Sequence, residues 1–191
     1  MNTTTESKRS VERYMTRFPK LIAGSASRLG MALIAVVFLL AVPCARADTT
    51  ISTTDTNFIL AAAQGGMTEV ELGGLAATNG MRDDVRNFGQ MMVKDHTAIN
   101  TDLKSLAAQK GVTLPDNLDA KHRAMVEKLS SFTGSEFDDA YIAAMIKGHK
   151  SDAKAFKAEA AATTYADVKS FLDKSIPVVE VHLQRIMAMK K

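Results

Sequence analysis

Four side chains able to hold a metal or move a proton, Glu69, His96, His149 and His182, each interrupt a different apolar stripe of helical period. Residues three or four apart share a helix face. On that spacing Phe88, Met92 and His96 line up with Leu103 and Leu106, while Tyr141, Met145 and His149 line up with Phe156. Leu172, Val179, His182 and Ile186 mark a third face. The remaining face is made of small residues, Ala62, Gly66, Gly73 and Ala76, with Glu69 in their midst. A polar group in an apolar core is costly unless it is partnered. Four of them on four segments must partner one another or share a ligand.

Facing helices of a bundle build metal sites from inward side chains of this kind. The expectation is one transition-metal ion held by Glu69, His96, His149 and His182, with Asp95 and Met92 as secondary candidates and Met145 or Met187 as further soft donors. Imidazole with a carboxylate suits zinc, iron or nickel, whereas His with Met suits reduced copper. Two points weigh against full convergence. Asp95 adjoins His96, and neighbours on a helix are about 100° apart, so both cannot face one axis. His182 sits later in its helix than the other three in theirs, about 8 Å along at 1.5 Å per residue. The plainer reading has the histidines bonded to Glu69, Asp95, Asp138, Tyr141 or backbone carbonyls, with methionine as ordinary core filling.

The elements that must position these residues are helices, since no period-two stretch long enough for a sheet occurs. The first is expected from about Asp55 to Thr78, ending at Asn79-Gly80, and the second from Met81 to about Lys110, ending at Gly111. A short amphipathic piece follows over Leu118 to Leu129. The third runs from Ser135, a capping residue, to Ala162, and Thr164 with Asp167 opens the fourth. Helices one and two are joined by a few residues, as are three and four, while some two dozen residues separate two from three. Short loops make antiparallel neighbours. The fold class expected is all-α, a ferritin-like four-helix bundle with a long crossover containing a short helix between helices two and three. Gly65, Gly66, Gly73 and Gly74 call for close helix approach, for room beside Glu69, or for a helix break near Gly65. Pro177 should kink the last helix one turn before His182, or mark where two shorter helices meet.

Ahead of these elements lies a basic stretch with Lys8, Arg9, Arg13, Arg17, Lys20 and Arg28, then an apolar run from Met31 to Val42 and a small-x-small Ala45-Arg46-Ala47. That order reads as a secretory signal peptide over residues 1–47. The apolar run is shorter than the roughly 18 residues of a membrane-spanning helix. A retained anchor and a start at Met15 stay open as alternatives. Residues 48–56 read as a polar linker and 57–191 as the helical domain, placed in the periplasm or at the outer membrane. Of 24 Lys and Arg, seven precede Asp48, against two of 21 Asp and Glu, which leaves 17 against 19 in the exported part. The basic character belongs to the leader, so no nucleic-acid partner is implied. Cys44 is the single cysteine, so thiolate metal sites and disulfides are excluded from the exported part.

No Gly-rich phosphate loop, nucleophile elbow or HExxH motif is present. Three function classes follow in order of support. The first is a metal-binding exported bundle; the second is a non-catalytic structural or interaction protein of the periplasm or cell envelope, with an envelope protein as its partner. The third is an enzyme, either a metal-dependent redox enzyme or a hydrolase.

The stretch Ala62-Ala63-Gln64-Gly65-Gly66-Met67-Thr68-Glu69-Val70-Glu71-Leu72-Gly73 is followed by Phe88 and by Met91-Met92-Val93-Lys94-Asp95-His96. Phe137-Asp138, Tyr141 and His149 come next, then Pro177 and His182. Together these resemble the domain of unknown function family numbered 4142, over almost all of Thr54 to Met189. The resemblance implies an exported bacterial protein with a ferritin-like four-helix fold, and it implies no established activity. Di-iron ferritin-like proteins carry a Glu on each of two helices and a Glu-x-x-His on each of the other two. Val93, Ile146 and Val179 stand where those glutamates would precede the three histidines. The six-ligand di-iron motif is absent, which favours a mononuclear site or none.

Overall fold

The computed structural model describes residues 51–190, and the expected signal peptide over residues 1–47 lies outside them. Five helices and no strand occur among the described residues: α1 (Thr53–Asn79), α2 (Asp83–Gln109), α3 (Ala120–Ser130), α4 (Gly134–Ala162) and α5 (Ala166–Met189). No helix among them is long and apolar enough to cross a membrane. α1 pairs with α2 and α4 with α5 as hairpins; α2 also packs on α5 and α1 on α4. α3 lies in the connection between the hairpins and rests on α1 and α4.

The helix ends show why the chain turns where it does. Ser52 caps α1, its hydroxyl accepting from the Asp55 amide at 3.0 Å, so Thr53 to Thr56, read above as the end of the linker, form the first turn. Gly80 closes α1 with φ −57°, so its value is space: a Cβ there would stand 2.7 Å from the Ala76 carbonyl oxygen. Gly111, at φ +69°, ends α2 in the left-handed conformation that glycine adopts without penalty. α4 starts at Gly134 with Thr133 as its cap position and no side-chain capping bond, so Ser135 lies inside the helix and not at its cap. α5 begins at Ala166, two residues later than Thr164.

The N-terminus of α2 takes its cap from another helix. Asp138 of α4, buried, accepts from the Met81 and Arg82 amides at 2.9 Å each. One carboxylate thus satisfies two amide groups and ties the two hairpins together. It is not a partner of any histidine.

α1 is continuous through its glycines. A Cβ on Gly89 would lie 2.5 Å from the Gly73 carbonyl oxygen, and one on Gly73 would lie 2.9 Å from that of Gly89, so this pair lets α1 and α2 touch backbone to backbone. Gly66 seats the Asn100 side chain. Gly65 and Gly74 meet nothing within 4 Å. α5 likewise runs unbroken through the exposed Pro177. The carbonyl of Asp173, which loses its amide partner to the proline, is on the solvent side.

The buried apolar residues form two clusters. One gathers Ile59, Leu103, Phe156, Leu172 and Val179; the other gathers Leu72, Phe88, Met92, Tyr141 and Ile186. Each fully buried Leu or Phe contributes about 1.5–3 kcal/mol. On every long helix one polar residue falls between its contributions to the two clusters: Glu69 between Ala63 and Leu72, His96 between Met92 and Leu103, His149 between Met145 and Ala153, His182 between Val179 and Ile186. The core is therefore two apolar halves with a polar layer between them.

Candidate functional site

The polar layer brings all four sequence-selected residues together. His96 Nδ1 is 2.9 Å from Glu69 Oε2, and His96 Nε2 is 3.2 Å from His182 Nδ1. His182 Nε2 in turn lies 3.0 Å from Asp95 Oδ2. His149 Nδ1 is 3.1 Å from the Met145 carbonyl oxygen, one turn back on its own helix. The three histidines are at most 2 % exposed. Their rings pack at centroid separations of 5.1, 5.5 and 5.7 Å.

His182 stands level with the others, contrary to the 8 Å offset expected from helix midpoints. The register is marked by Lys110 at the end of α2, whose ammonium pairs with Asp167 at the start of α5 at 2.5 Å. His96 is fourteen residues before Lys110 and His182 fifteen after Asp167. In antiparallel helices those nearly equal steps place them side by side. Asp95 also joins the layer. α2 packs against both α1 and α5, so neighbouring residues on it reach different partners: His96 turns to Glu69 of α1 and Asp95 to His182 of α5.

These partners assign the tautomers. A carboxylate or a carbonyl can only accept, so His96 donates from Nδ1, His182 from Nε2 and His149 from Nδ1. In its neutral form each ring is then left with one bare nitrogen. His96 Nε2 and His182 Nδ1 face one another lone pair to lone pair, and His149 Nε2, buried, has no hydrogen-bond partner among the described residues. Glu69 Oε1, at 3.6 Å, is an acceptor and cannot supply one. One ring nitrogen from each of the three histidines lies within 4.8 Å of the others, a group that could hold a metal ion.

Burial disfavours the charged form of two of these rings, His149 and His182. Burial pushes the His149 imidazole down to about 4, against an opposing pull from Glu69. Burial also lowers His182, with Asp95 partly restoring it. Burial alone would raise the Glu69 carboxyl, but the charge and hydrogen bond of His96 outweigh it and hold the group below the usual carboxylate range. Sequence reasoning missed one member. Asp152, three residues after His149 on the same face of α4, hydrogen-bonds Glu69 and is pushed up to about 7 by burial and by the Glu69 charge. The signal was the i, i+3 spacing, masked by the lysines around it.

The methionines are not part of the layer's polar contacts. Met92 is fully buried beside Phe88 and against Gly73, where it fills the core. Met187 is 48 % exposed, so its expected role as a soft donor is corrected. His122 lies apart on α3, its Nδ1 2.8 Å from Asp119.

The family model described as "Domain of unknown function (DUF4142)" matches residues 40–189. Comparison with curated proteins gives no match. Among solved structures the chain is similar to the "Crystal structure of DUF305 fragment from Deinococcus radiodurans", with a TM-score of 0.65 and 11 % identity over 73 % of this chain and 97 % of that one. At that identity the likeness speaks for the all-helical fold alone.

Proposed function

The chain belongs to the DUF4142 family, and from that premise we propose that it is an exported metal-binding protein whose single ion is held by His96, His149 and His182. The observation that carries this reading is the His149 ring, with its N–H on the Met145 carbonyl, its buried Nε2 without a hydrogen-bond partner among the described residues, and a ring nitrogen within 4.8 Å of one from each of the other two histidines. Metal-ligating histidines characteristically donate their second ring N–H to a carboxylate or backbone carbonyl, which fixes the ring and raises its basicity. Glu69, Asp95 and the Met145 carbonyl fill those three roles. Glu69, first considered as a ligand, is here the group that orients His96.

The His96–His182 pair has the spacing of two ligands on a small divalent ion. Metal–nitrogen bonds of 2.0–2.1 Å at tetrahedral angles set neighbouring nitrogens about 3.3 Å apart, close to the 3.2 Å between His96 Nε2 and His182 Nδ1. Three neutral imidazoles suit zinc, iron or nickel. They leave one coordination position open, the arrangement of sites that bind a further ligand and not of closed structural ones. The two hairpins and their long connection support reading the four long helices as a ferritin-like bundle, and the leader over residues 1–47 supports export to the periplasm.

A metal-free polar network is the competing reading. It accounts for His96 and His182, which could share one proton across their 3.2 Å contact under the charge of Glu69. It leaves His149 Nε2 bare. Titration of chelator-treated, untagged protein with Co(II), followed by visible absorption, decides between them. One equivalent giving a d–d spectrum that disappears in His149→Leu is the expected result; no spectrum at any ratio would sink the metal reading.

A further inference from the structure

A cavity of about 90 Å³ runs from the α1–α4 seam to the polar layer. Its outer end is framed by Ala61 and Ala155, both exposed; its inner end is closed by Glu69, His96 and Asp152. Between them the walls are apolar, chiefly Phe58, Phe156, Ile99 and Leu103. The small residues of α1 keep it open. Gly65 borders the cavity, and a Cβ there would meet nothing within 4 Å, so this glycine is not required by close packing. By contrast Gly73, about two turns further on, is required by contact with α2. The same helix thus uses glycine for two purposes, contact at Gly73 and empty space at Gly65. A Gly in a helix interior costs about 1 kcal/mol relative to Ala, a cost that packing does not explain at Gly65.

We propose that this cavity is a binding pocket for a neutral molecule of two or three heavy atoms, which it brings to the His96 side of the histidine cluster. Size sets the upper limit, since an engineered apolar cavity of about 150 Å³ takes benzene or xenon. Charge sets the class: the Glu69 carboxylate at the inner end repels anions, and the apolar walls give a hydrated cation no replacement for its water. Where the ligand then goes, onto the open position of a bound metal, rests on the metal reading above. The pocket itself does not.

Two arms separate these claims, with Gly65→Leu as the filling variant and Gly74→Leu, also free of contacts within 4 Å but away from the cavity, as its control. Ala62→Leu, from the same wall, is the second filling variant should Gly65→Leu fail to fold. In the metal-free protein, xenon followed by ¹²⁹Xe NMR should bind in the wild type and in Gly74→Leu, and lose at least tenfold in affinity in Gly65→Leu. Absence of xenon binding in the wild type overturns the pocket. In Fe(II)-loaded protein, nitric oxide should give the S = 3/2 iron-nitrosyl EPR signal, forming at least tenfold more slowly in Gly65→Leu with Fe(II) affinity unchanged. Equal rates in both overturn the cavity as the route. A chain that takes up neither Fe(II) nor Co(II) overturns the metal reading alone, and the xenon arm then decides the pocket.

Discussion

His96 Nε2 stands 3.2 Å from His182 Nδ1 while the other nitrogen of each ring is turned to a carboxylate, Glu69 for one and Asp95 for the other. Two acceptors cannot face each other at that distance without a proton or a cation between them. The carboxylates make that choice, because they fix which nitrogen carries the hydrogen. Asp95→Asn should therefore act on metal affinity through His182: the amide can turn its NH₂ toward the ring and release Nε2 from its donor role. The expected loss is 10–100-fold in affinity at unchanged stoichiometry, the range for groups that orient metal-bound histidines. Calorimetric titration measures it; an unchanged affinity would show that Asp95 orients nothing.

His149 and Asp152 should give the metal-free protein opposing pH dependences. Folding lowers His149 from 6.5 to about 4, so the unfolded chain binds the proton first and the contribution of this ring, about 3 kcal/mol, is present above pH 6.5 and lost as pH falls toward 4. Folding raises Asp152 from 3.8 to about 7, so its contribution is present below pH 3.8 and lost as pH rises toward 7. The two slopes act in one window and offset each other. In Asp152→Asn, stability should rise with pH between 4 and 6.5; in His149→Leu it should fall between 4 and 7. Urea denaturation across that range checks both, and parallel profiles in the two variants would contradict the assignment.

Asp138→Ala should destabilise the fold by about 3 kcal/mol, roughly 10 °C in Tm, because it strips partners from two amides at the start of α2. Metal affinity should stay within about twofold, since Asp138 touches no histidine. A thermal melt paired with a metal titration gives both readings.

Gly89→Ala and Gly74→Ala should move stability in opposite directions. The first puts a Cβ 2.5 Å from the Gly73 oxygen and 2.7 Å from the Ala77 nitrogen, overpacking that costs about 1–3 kcal/mol. The second enters open space and gains about 1 kcal/mol of helix propensity. Denaturant midpoints of the two variants test the pair.

Much of this was legible from the residues alone, and the misses share a cause. Helical period found the four inward polar residues, because a Glu or His amid Leu, Met and Phe breaks a pattern that a single helix carries by itself. The turns followed from local chemistry at Gly111, though Gly80 is needed for clearance and not for its φ. What failed depended on relations between helices. His182 was placed too far along because the Lys110–Asp167 register is invisible within either helix. Asp95 was set aside by an argument that gave α2 one inward direction, when it has a neighbour on two sides. Asp138, offered as a partner of the histidines, instead caps another helix. The role of Glu69 turned on which atom faces which ring, a relation that spacing does not encode.

The central claim is that three neutral imidazoles share one ion, and metal content tests it most directly. The protein should be purified without affinity tag or chelator and measured by inductively coupled plasma mass spectrometry beside His149→Leu. Near one equivalent of a single transition metal in the wild type, falling at least tenfold in the variant, is the predicted result. A wild type without metal that also takes none up on titration, or equal metal in both proteins, would contradict the account and leave the polar layer as a hydrogen-bonded core.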